Sequence, residues 1–81
     1  MSVRQARLFA VLGFGSTHDA LDAESALQGA GLEVLPIPAP KSIGALCGIA
    51  LRLPPEQLHS ARDCLAAEGI SIAATSEIED V

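Results

Sequence analysis

An uninterrupted apolar run near the start of the chain, residues 7–14 (RLFAVLGF), constrains the fold more than any other feature. Apolar side chains that do not alternate with polar ones predict a strand that is buried on both faces. Such a strand belongs in the middle of a sheet, with other elements covering it. Gly15 follows directly and interrupts the pattern. The rest of the chain must therefore supply the neighbouring strands and the layer that covers this central strand.

Two segments have the apolar spacing of amphipathic helices. The first begins at Ser16 or Thr17, either of which can cap a helix, and it stops at Gly29 and Gly31. The second opens at residues 54–56, where proline is tolerated in a first helical turn, and Gly69 ends it. The predicted inner faces consist of Ala20, Ala23, Leu27 and Ala30 in the first helix, and of Leu58, Ala61 and Leu65 in the second.

Three further strands are expected, at residues 32–37, 48–53 and 70–74. Pro36, Pro38 and Pro40 alternate at the end of the second strand. Their missing N–H groups leave one side of that strand unable to pair, which is typical of a sheet edge. The first and third strands are the most apolar of the four, and the third is expected to be central like the first.

The predicted order is βαββαβ. Its usual solution is an α+β ferredoxin-like two-layer sandwich, with two helices on one face of an antiparallel sheet in the strand order 4-1-3-2. The whole chain, residues 1–81, is expected to form a single domain with an ordered core at about 7–75. Residues 76–81, with Glu77, Glu79 and Asp80, are interpreted as an acidic C-terminal tail.

Composition excludes several classes of function. The net charge of −5 disfavours nucleic acid as a partner, because phosphates require clustered Lys and Arg. No apolar run is long enough to predict a membrane span, and no stretch has the pattern of a signal peptide. We therefore expect a cytoplasmic protein with no cofactor. A domain of 81 residues with little aromatic content is marginally stable alone, which makes a homo-oligomer plausible.

Cys47 is the principal candidate for chemistry. It lies beside Gly48, where a glycine-containing loop meets the third strand, so its sulfur can be accessible. In the predicted topology the start of that strand lies next to residues 13–18, at the beginning of the first helix. A helix N-terminus and nearby cations favour the reactive thiolate, and His18 and Lys41 are candidate cations. The alternative is a buried, inert thiol, which is how free cysteine usually behaves.

Other polar residues have weaker functional signals. Arg52 is expected to be too distant to act on Cys47, since five residues along a strand span roughly 16 Å. Glu24 lies close to the inner helical face and is expected to have a structural partner, such as the loop. Cys64, in the middle of the second helix, is expected to serve packing only. The two Cys and two His have no metal-ligand spacing, and no Ser/His/Asp set is recognisable.

Two blocks of sequence together resemble the putative selenium/sulfur carrier-like family. They are GSTHDAL (residues 15–21) with Ala23 and Glu24, and CGIALR (residues 47–52); the similarity extends from about residue 8 to residue 73. The resemblance implies that Cys47 holds sulfur or selenium as a persulfide or selenopersulfide. The other residues that fall on matching positions are Ser16, Thr17, His18, Glu24, Gly48 and Arg52.

The leading hypothesis is a carrier that takes a sulfane atom from a donor protein and passes it to an acceptor. Cys47 would hold the atom, and Ser16, Thr17, His18 and Gly48 would surround it. Residues 43–46, which are apolar, would dock a partner. The alternative is a non-catalytic regulatory or oligomer-assembly module in which Cys47 is structural. A Cys/His thiol enzyme is a third hypothesis, which lacks a residue to orient the histidine.

Overall fold

A computed structural model describes residues 7–41 and 48–80 of the chain. The elements follow the order βαββαβ, and their bounds are β1 Arg7–Gly13, α1 Thr17–Gly29, β2 Leu35–Pro38, β3 Ile49–Leu53, α2 Leu58–Ala67 and β4 Ala74–Asp80, with a single 3-10 turn at Pro55–Gln57 directly before α2. The predicted order of elements is therefore confirmed.

The four strands form one antiparallel sheet in the order β2-β3-β1-β4, which is the predicted order 4-1-3-2. β1 pairs with β3 on one side and with β4 on the other, and β2 pairs with β3. The architecture is thus consistent with a ferredoxin-like α+β sandwich. The proline-containing strand β2 lies at an edge, as its missing N–H groups require.

One face of the sheet, the covered face, is packed against both helices. Alternate side chains of β1 and β3 point to this face and meet the inner stripes of α1 and α2. The largest of these fully buried side chains are Phe14, Leu12, Leu27, Leu51, Leu53 and Leu65. Burial of these side chains provides the main hydrophobic stabilisation of the domain.

The other face, the open face, has a smaller cluster made only of residues from the sheet and its loops. Val11 and Ala50 are fully buried there, and partly buried apolar side chains surround them: Ile37, Ala39, Ala74 and Ile78. Leu35 lies on the same face by strand alternation and leaves 47% of its surface exposed. The buried apolar cluster on the covered face is therefore much larger than the one on the open face.

Local sequence signals determine both helix ends as predicted. Ser16 is the N-cap of α1, and its hydroxyl accepts a hydrogen bond from the N–H of Asp19 at 3.1 Å. At the other end, Gly31 adopts φ +83°, and the N–H of Leu32 donates to the carbonyl of Leu27. This arrangement is a Schellman motif, in which glycine adopts the left-handed conformation without steric cost.

Helix α2 ends in the same way. Gly69 has φ +72°, and the N–H of Ile70 donates to the carbonyl of Leu65. The residue after each glycine, Leu32 or Ile70, packs against the core of the covered face. Each chain segment that leaves a helix is thereby directed back toward the sheet.

The predicted position of the last strand is wrong. β4 spans Ala74–Asp80 rather than residues 70–74, and it pairs with β1 along its whole length, from Gly13↔Ala74 to Arg7↔Asp80. The acidic residues that were assigned to a tail therefore lie in an edge strand. Glu77 and Glu79 are exposed there, while Ile70 and Ile72 pack against the core from the loop that precedes the strand. Charged side chains on an exposed edge discourage pairing with other chains.

Two smaller predictions also change. β2 begins at Leu35, not at residue 32, because Leu32 belongs to the helix-ending motif and Val34 to the loop that follows it. Ala30 is the C-cap of α1 and is exposed, so the buried stripe of that helix consists of Ala20, Ala23 and Leu27. A Schellman motif takes the chain off the helix axis, which removes the capping residue from the inner face.

Candidate functional site

The end of β1 and the beginning of β3 meet at one end of the sheet. Gly13 is the Cα partner of Ala50, and two residues before Ala50 the carbonyl of Gly48 accepts a hydrogen bond from the N–H of Ala39 at 3.0 Å. This bond closes the base of the β2–β3 connection. Cys47, which precedes Gly48, and the apolar residues 43–46 lie outside the described residues. The predicted proximity of Cys47 to residues 13–18 therefore stays a prediction.

The N-terminus of α1 begins directly after this end of the sheet. Ser16 takes two of the first N–H groups: its hydroxyl accepts from Asp19, and its carbonyl accepts from Ala20 at 3.1 Å. Neither of these two hydrogen bonds of the Ser16 cap involves the N–H group of Thr17 or of His18. Free N–H groups at a helix N-terminus, together with the helix dipole, favour an anion. Both residues are exposed, so a ligand or partner can reach them.

His18 contacts Asp22, one helical turn further on. Its Nδ1 lies 3.4 Å from Oδ2 of Asp22, and 84% of the histidine side chain is exposed. Sequence analysis missed Asp22 as a partner, although spacing of i and i+4 on a helix was the available signal. The same arrangement occurs on α2 between His59 and Asp63 at 3.3 Å. A surface His–Asp pair is thus a repeated feature of these helices and does not by itself identify a catalytic histidine.

The structure also describes two residues that were predicted to support the site, Glu24 and Lys41. Glu24 is half-buried and accepts a hydrogen bond from the side-chain amide of Gln28 at 3.4 Å. This partner lies on the same helix, one turn away. The expected contact of Glu24 with the β2–β3 loop falls largely on residues outside the described ones and stays a prediction. Lys41 is exposed on the β2–β3 connection, two residues after Ala39, and is therefore on the same connection as Gly48.

Arg52 lies in β3, further along the strand from Gly48. Its guanidinium carbon is 4.2 Å from the centre of the Phe9 ring, and the guanidinium carbon of Arg7 is 5.1 Å from the same ring. Arg52 is the Cα partner of Val11, so it belongs to the part of the sheet where β1 begins and β3 ends. Five of the predicted site residues lie at the N-terminus of α1 or on the β2–β3 connection: Ser16, Thr17, His18, Lys41 and Gly48. Glu24 lies further along α1, and Arg52 lies near the end of β3.

Cys64 has the packing role that was predicted. Its side chain is half-buried between the helices, it contacts the core of the covered face, and its Sγ lies 3.7 Å from the carbonyl oxygen of Ala26. A thiol that donates weakly to a helix carbonyl fills space and adds little chemistry. It therefore offers a control thiol for experiments on Cys47.

The described residues, 7–41 and 48–80, contain no group of three or more His, Cys, Asp or Glu side chains that could hold a metal ion. Among the helices of the same residues, none is long and apolar enough to cross a membrane.

A small ferredoxin-like sandwich, in which the N-terminus of α1 directly follows the end of β1 that pairs with the beginning of β3, defines the class of protein. Comparison with protein families identifies the family within that class. The sequence model of the family described as "Putative Se/S carrier protein-like" matches residues 9–77, which is most of the chain. The chain belongs to this family. The comparison with curated proteins and the comparison with solved structures found no match.

Proposed function

We propose that this chain carries sulfur or selenium, with Cys47 holding the carried atom as a persulfide or selenopersulfide for transfer to a partner protein. One observation carries the proposal: Gly13 and Ala50 are Cα partners at the end of the two central strands. From this pair the chain reaches Ser16 in one direction and Cys47 in the other, each after three residues. Membership in the family supports the same role.

The helix N-terminus supplies what a carried anion needs. A persulfide is anionic at its terminal sulfur, and two N–H groups of the first turn, those of Thr17 and His18, are not used by the Ser16 cap. The positive end of the helix dipole adds a favourable potential within this first turn. Lys41, exposed on the β2–β3 connection, adds a positive charge near the same end of the sheet. These groups stabilise the loaded state without a metal or an organic cofactor.

Transfer requires no net oxidation or reduction. The Cys47 thiolate attacks the terminal sulfane sulfur of a persulfide on the donor protein, and its electron pair forms the new S–S bond. The S–S bond of the donor breaks, and the donor thiolate leaves with that electron pair. In the second step the thiolate of an acceptor attacks the terminal sulfur on Cys47, and Cys47 leaves as a thiolate. A selenium atom follows the same sequence of bond changes.

Gly48 gives the residue after the cysteine an unusual backbone. Its φ is +84°, a conformation that residues with a side chain rarely adopt. A Cβ added at this position would meet no atom within 4 Å, so alanine is disfavoured there by backbone strain and not by a collision. We infer that Gly48 positions the peptide next to Cys47, and that Gly48→Ala lowers the rate of loading more than it lowers the stability of the domain.

The test is loading followed by measurement of the intact mass. The reduced protein is incubated with a cysteine desulfurase and either cysteine or selenocysteine. The wild type is expected to gain one sulfur or one selenium atom, Cys47→Ala is expected to gain none, and Cys64→Ala is expected to gain as much as the wild type. If the wild type gains nothing, or if Cys64→Ala removes the gain, the carrier function is wrong.

A second candidate function, assembly through the open face, rests on a separate observation. The open face has a buried apolar centre at Val11 and Ala50, and Leu35 is half exposed at its border. Flat apolar sheet faces can pack on one another, so a second copy of this chain is the occupant that the surface would accept. Light scattering after size exclusion tests this: a dimer that Leu35→Glu converts to a monomer supports it, and a monomeric wild type at high concentration rejects it.

A further inference from the structure

β4 is the longer of the two edge strands, and within residues 7–41 and 48–80 it has no neighbouring strand on its outer side. The sheet order places β1 beside β4 and ends there. β4 pairs with β1 along seven residues, Ala74–Asp80, whereas β2, at the opposite edge, has four residues, two of which are proline. An unpaired row of backbone N–H and C=O groups is a template for another strand. β4 is therefore the edge that can accept one.

The prolines of β2 indicate which backbone groups face outward across the sheet. In an antiparallel pair, the N–H and C=O of one residue point to the same side, and successive residues point to opposite sides. Pro36 and Pro38 have no N–H to donate, so their positions are the ones that face away from β3. The odd-numbered residues of β2 then face β3. In the same series, the N–H of Ala39 does donate to the carbonyl of Gly48.

The observed registers transmit this alternation from β2 to β4. Even-numbered residues of β3 bond to β2, so its odd-numbered residues bond to the even-numbered residues of β1. Odd-numbered residues of β1 then bond to the even-numbered residues of β4. In agreement, the carbonyl of Gly13 points to the β4 side, where it accepts a hydrogen bond from the N–H of Ala73 at 2.9 Å. The outward backbone groups of β4 are therefore those of Thr75, Glu77 and Glu79.

Two of these three outward positions carry glutamate. Glu77 and Glu79 are the Cα partners of Ala10 and Leu8, so their side chains are on the side of the covered face. Both are exposed, and neither forms an ion pair with a described residue. Like charges directly opposite each other destabilise a strand pair, and opposite charges stabilise it. The glutamates therefore act against pairing with a second copy of this edge and favour a strand that carries Lys or Arg.

The opposite side of the same edge is apolar. Ala74 and Ile78 belong to the partly buried cluster of the open face. Side chains of an added strand alternate in the same way, so one set lies beside the two glutamates and the other beside Ala74 and Ile78. At the beginning of β4, Arg62 of α2 and Thr75 line a recess of about 250 Å³. The positive charge of Arg62 restricts the basic residues of a partner to the part of the edge where the glutamates lie.

We propose that the outer edge of β4 binds an extended segment of a partner protein in which basic and apolar residues alternate, and that this segment joins the sheet as an additional strand. Its backbone bonds to the outward groups of Thr75, Glu77 and Glu79. Its basic side chains pair with the glutamates, and its apolar side chains extend the cluster of the open face. In this mode of recognition, main-chain bonds give affinity and side chains give specificity. The site adds a protein-interaction surface that is independent of Cys47.

Amide hydrogen exchange on the full chain tests the proposal, with and without a peptide of about eight residues in which lysine and valine alternate. In the free protein the outward N–H groups of Glu77 and Glu79 are expected to exchange fast, while that of Ile78, which bonds to β1, is protected. The peptide is expected to slow exchange at Glu77 and Glu79 by about tenfold when about nine-tenths of the sites are occupied. A peptide with glutamate in place of lysine is the matched control and is expected to change nothing.

Two substitutions of one residue separate charge from backbone pairing. Glu77→Gln keeps the outward N–H, so affinity for the lysine peptide is expected to fall by up to about fivefold, the value of one cross-strand charge pair. Glu77→Pro also removes the N–H and is expected to weaken binding by at least about tenfold. Its position does not bond to β1, so the domain is expected to stay folded, as thermal melting shows. Glu68→Gln, exposed at the end of α2, is the control with the same change of charge.

A charge reversal keeps the test decisive if the proline variant unfolds. The double variant Glu77→Lys with Glu79→Lys is expected to bind the glutamate peptide in place of the lysine peptide. Binding without protection of the two outward amides, an equal loss in Glu68→Gln, or an unchanged preference in the double variant would overturn the proposal. Protection of these amides in the free protein would also overturn it, and light scattering would then show whether a second copy covers the edge. All measurements use protein that carries no sulfur or selenium, so the outcome is separate from that of the loading experiment.

Discussion

The covered and open faces of the sheet use the same strands for different purposes. On the covered face, large side chains such as Leu12 and Phe14 meet two helices and are fully buried. On the open face, the buried centre consists of the smaller Val11 and Ala50, and the one large ring, Phe9, is covered by guanidinium groups. The difference indicates that most of the hydrophobic stabilisation comes from the covered face.

The largest expected effect is the loss of stability when a leucine is truncated on the covered face, compared with truncation of a leucine on the open face. Leu12→Ala removes a fully buried side chain and is expected to cost about 2–5 kcal/mol of unfolding free energy. Leu35→Ala is expected to cost about 1 kcal/mol, because 47% of that side chain is already exposed. Urea unfolding followed by far-UV circular dichroism measures both, since the chain has no Trp or Tyr for fluorescence. Equal losses would contradict the comparison and would indicate that Leu35 is covered in solution.

The next prediction concerns the ends of the helices that form the covered face. Gly31→Ala is expected to cost about 1–2 kcal/mol, because alanine does not adopt φ +83° without strain. Gly29→Ala, two residues earlier and within α1, is expected to stabilise the domain by about 0.5 kcal/mol through its higher helix propensity.

These two glycines form a matched pair, since a Cβ at either position would meet no atom within 4 Å. The difference between the variants therefore measures backbone conformation alone. Thermal unfolding of both variants under one set of conditions is sufficient. A similar change in the two would mean that the left-handed conformation of Gly31 does not hold the end of the helix.

The smallest expected effect lies on the open face. Arg52→Gln is expected to reduce the unfolding free energy by about 0.5–1 kcal/mol, which is the usual size of a guanidinium–aromatic contact near a surface. Arg62→Gln, an exposed control, is expected to stay within about 0.5 kcal/mol of the wild type. The ring resonances of Phe9 should shift in the first variant only. A loss of several kcal/mol in Arg52→Gln would show that the open face contributes to stability as the covered face does.

Much of the fold was predictable because its signals are local. The apolar runs identified β1 and β3 as central strands, and the prolines identified β2 as an edge. Ser16 and Gly31 marked the ends of α1 through hydrogen bonds to residues within a few positions. Such signals act within one turn of backbone, so they can be interpreted without knowledge of the tertiary structure.

The candidate site was predictable only in part. The residues at the α1 N-terminus and on the β2–β3 connection follow from topology, because antiparallel pairing brings the end of β1 to the beginning of β3. Asp22 was missed as the partner of His18, although its spacing was visible. The contact of Arg52 with Phe9 was not predicted, because it depends on the register between neighbouring strands and on side-chain direction.

By itself, the sequence determined the order of the elements, the two central strands, the proline edge and the N-cap of the first helix. Only the tertiary structure decided that residues 74–80 form a strand and that Arg7 and Arg52 meet on one ring. The physical reason is the same in both cases. Acidic residues have a low propensity for strands, and a contact between a guanidinium and a ring has no local signal in the sequence. Both features depend on residues of β1 that are distant in sequence.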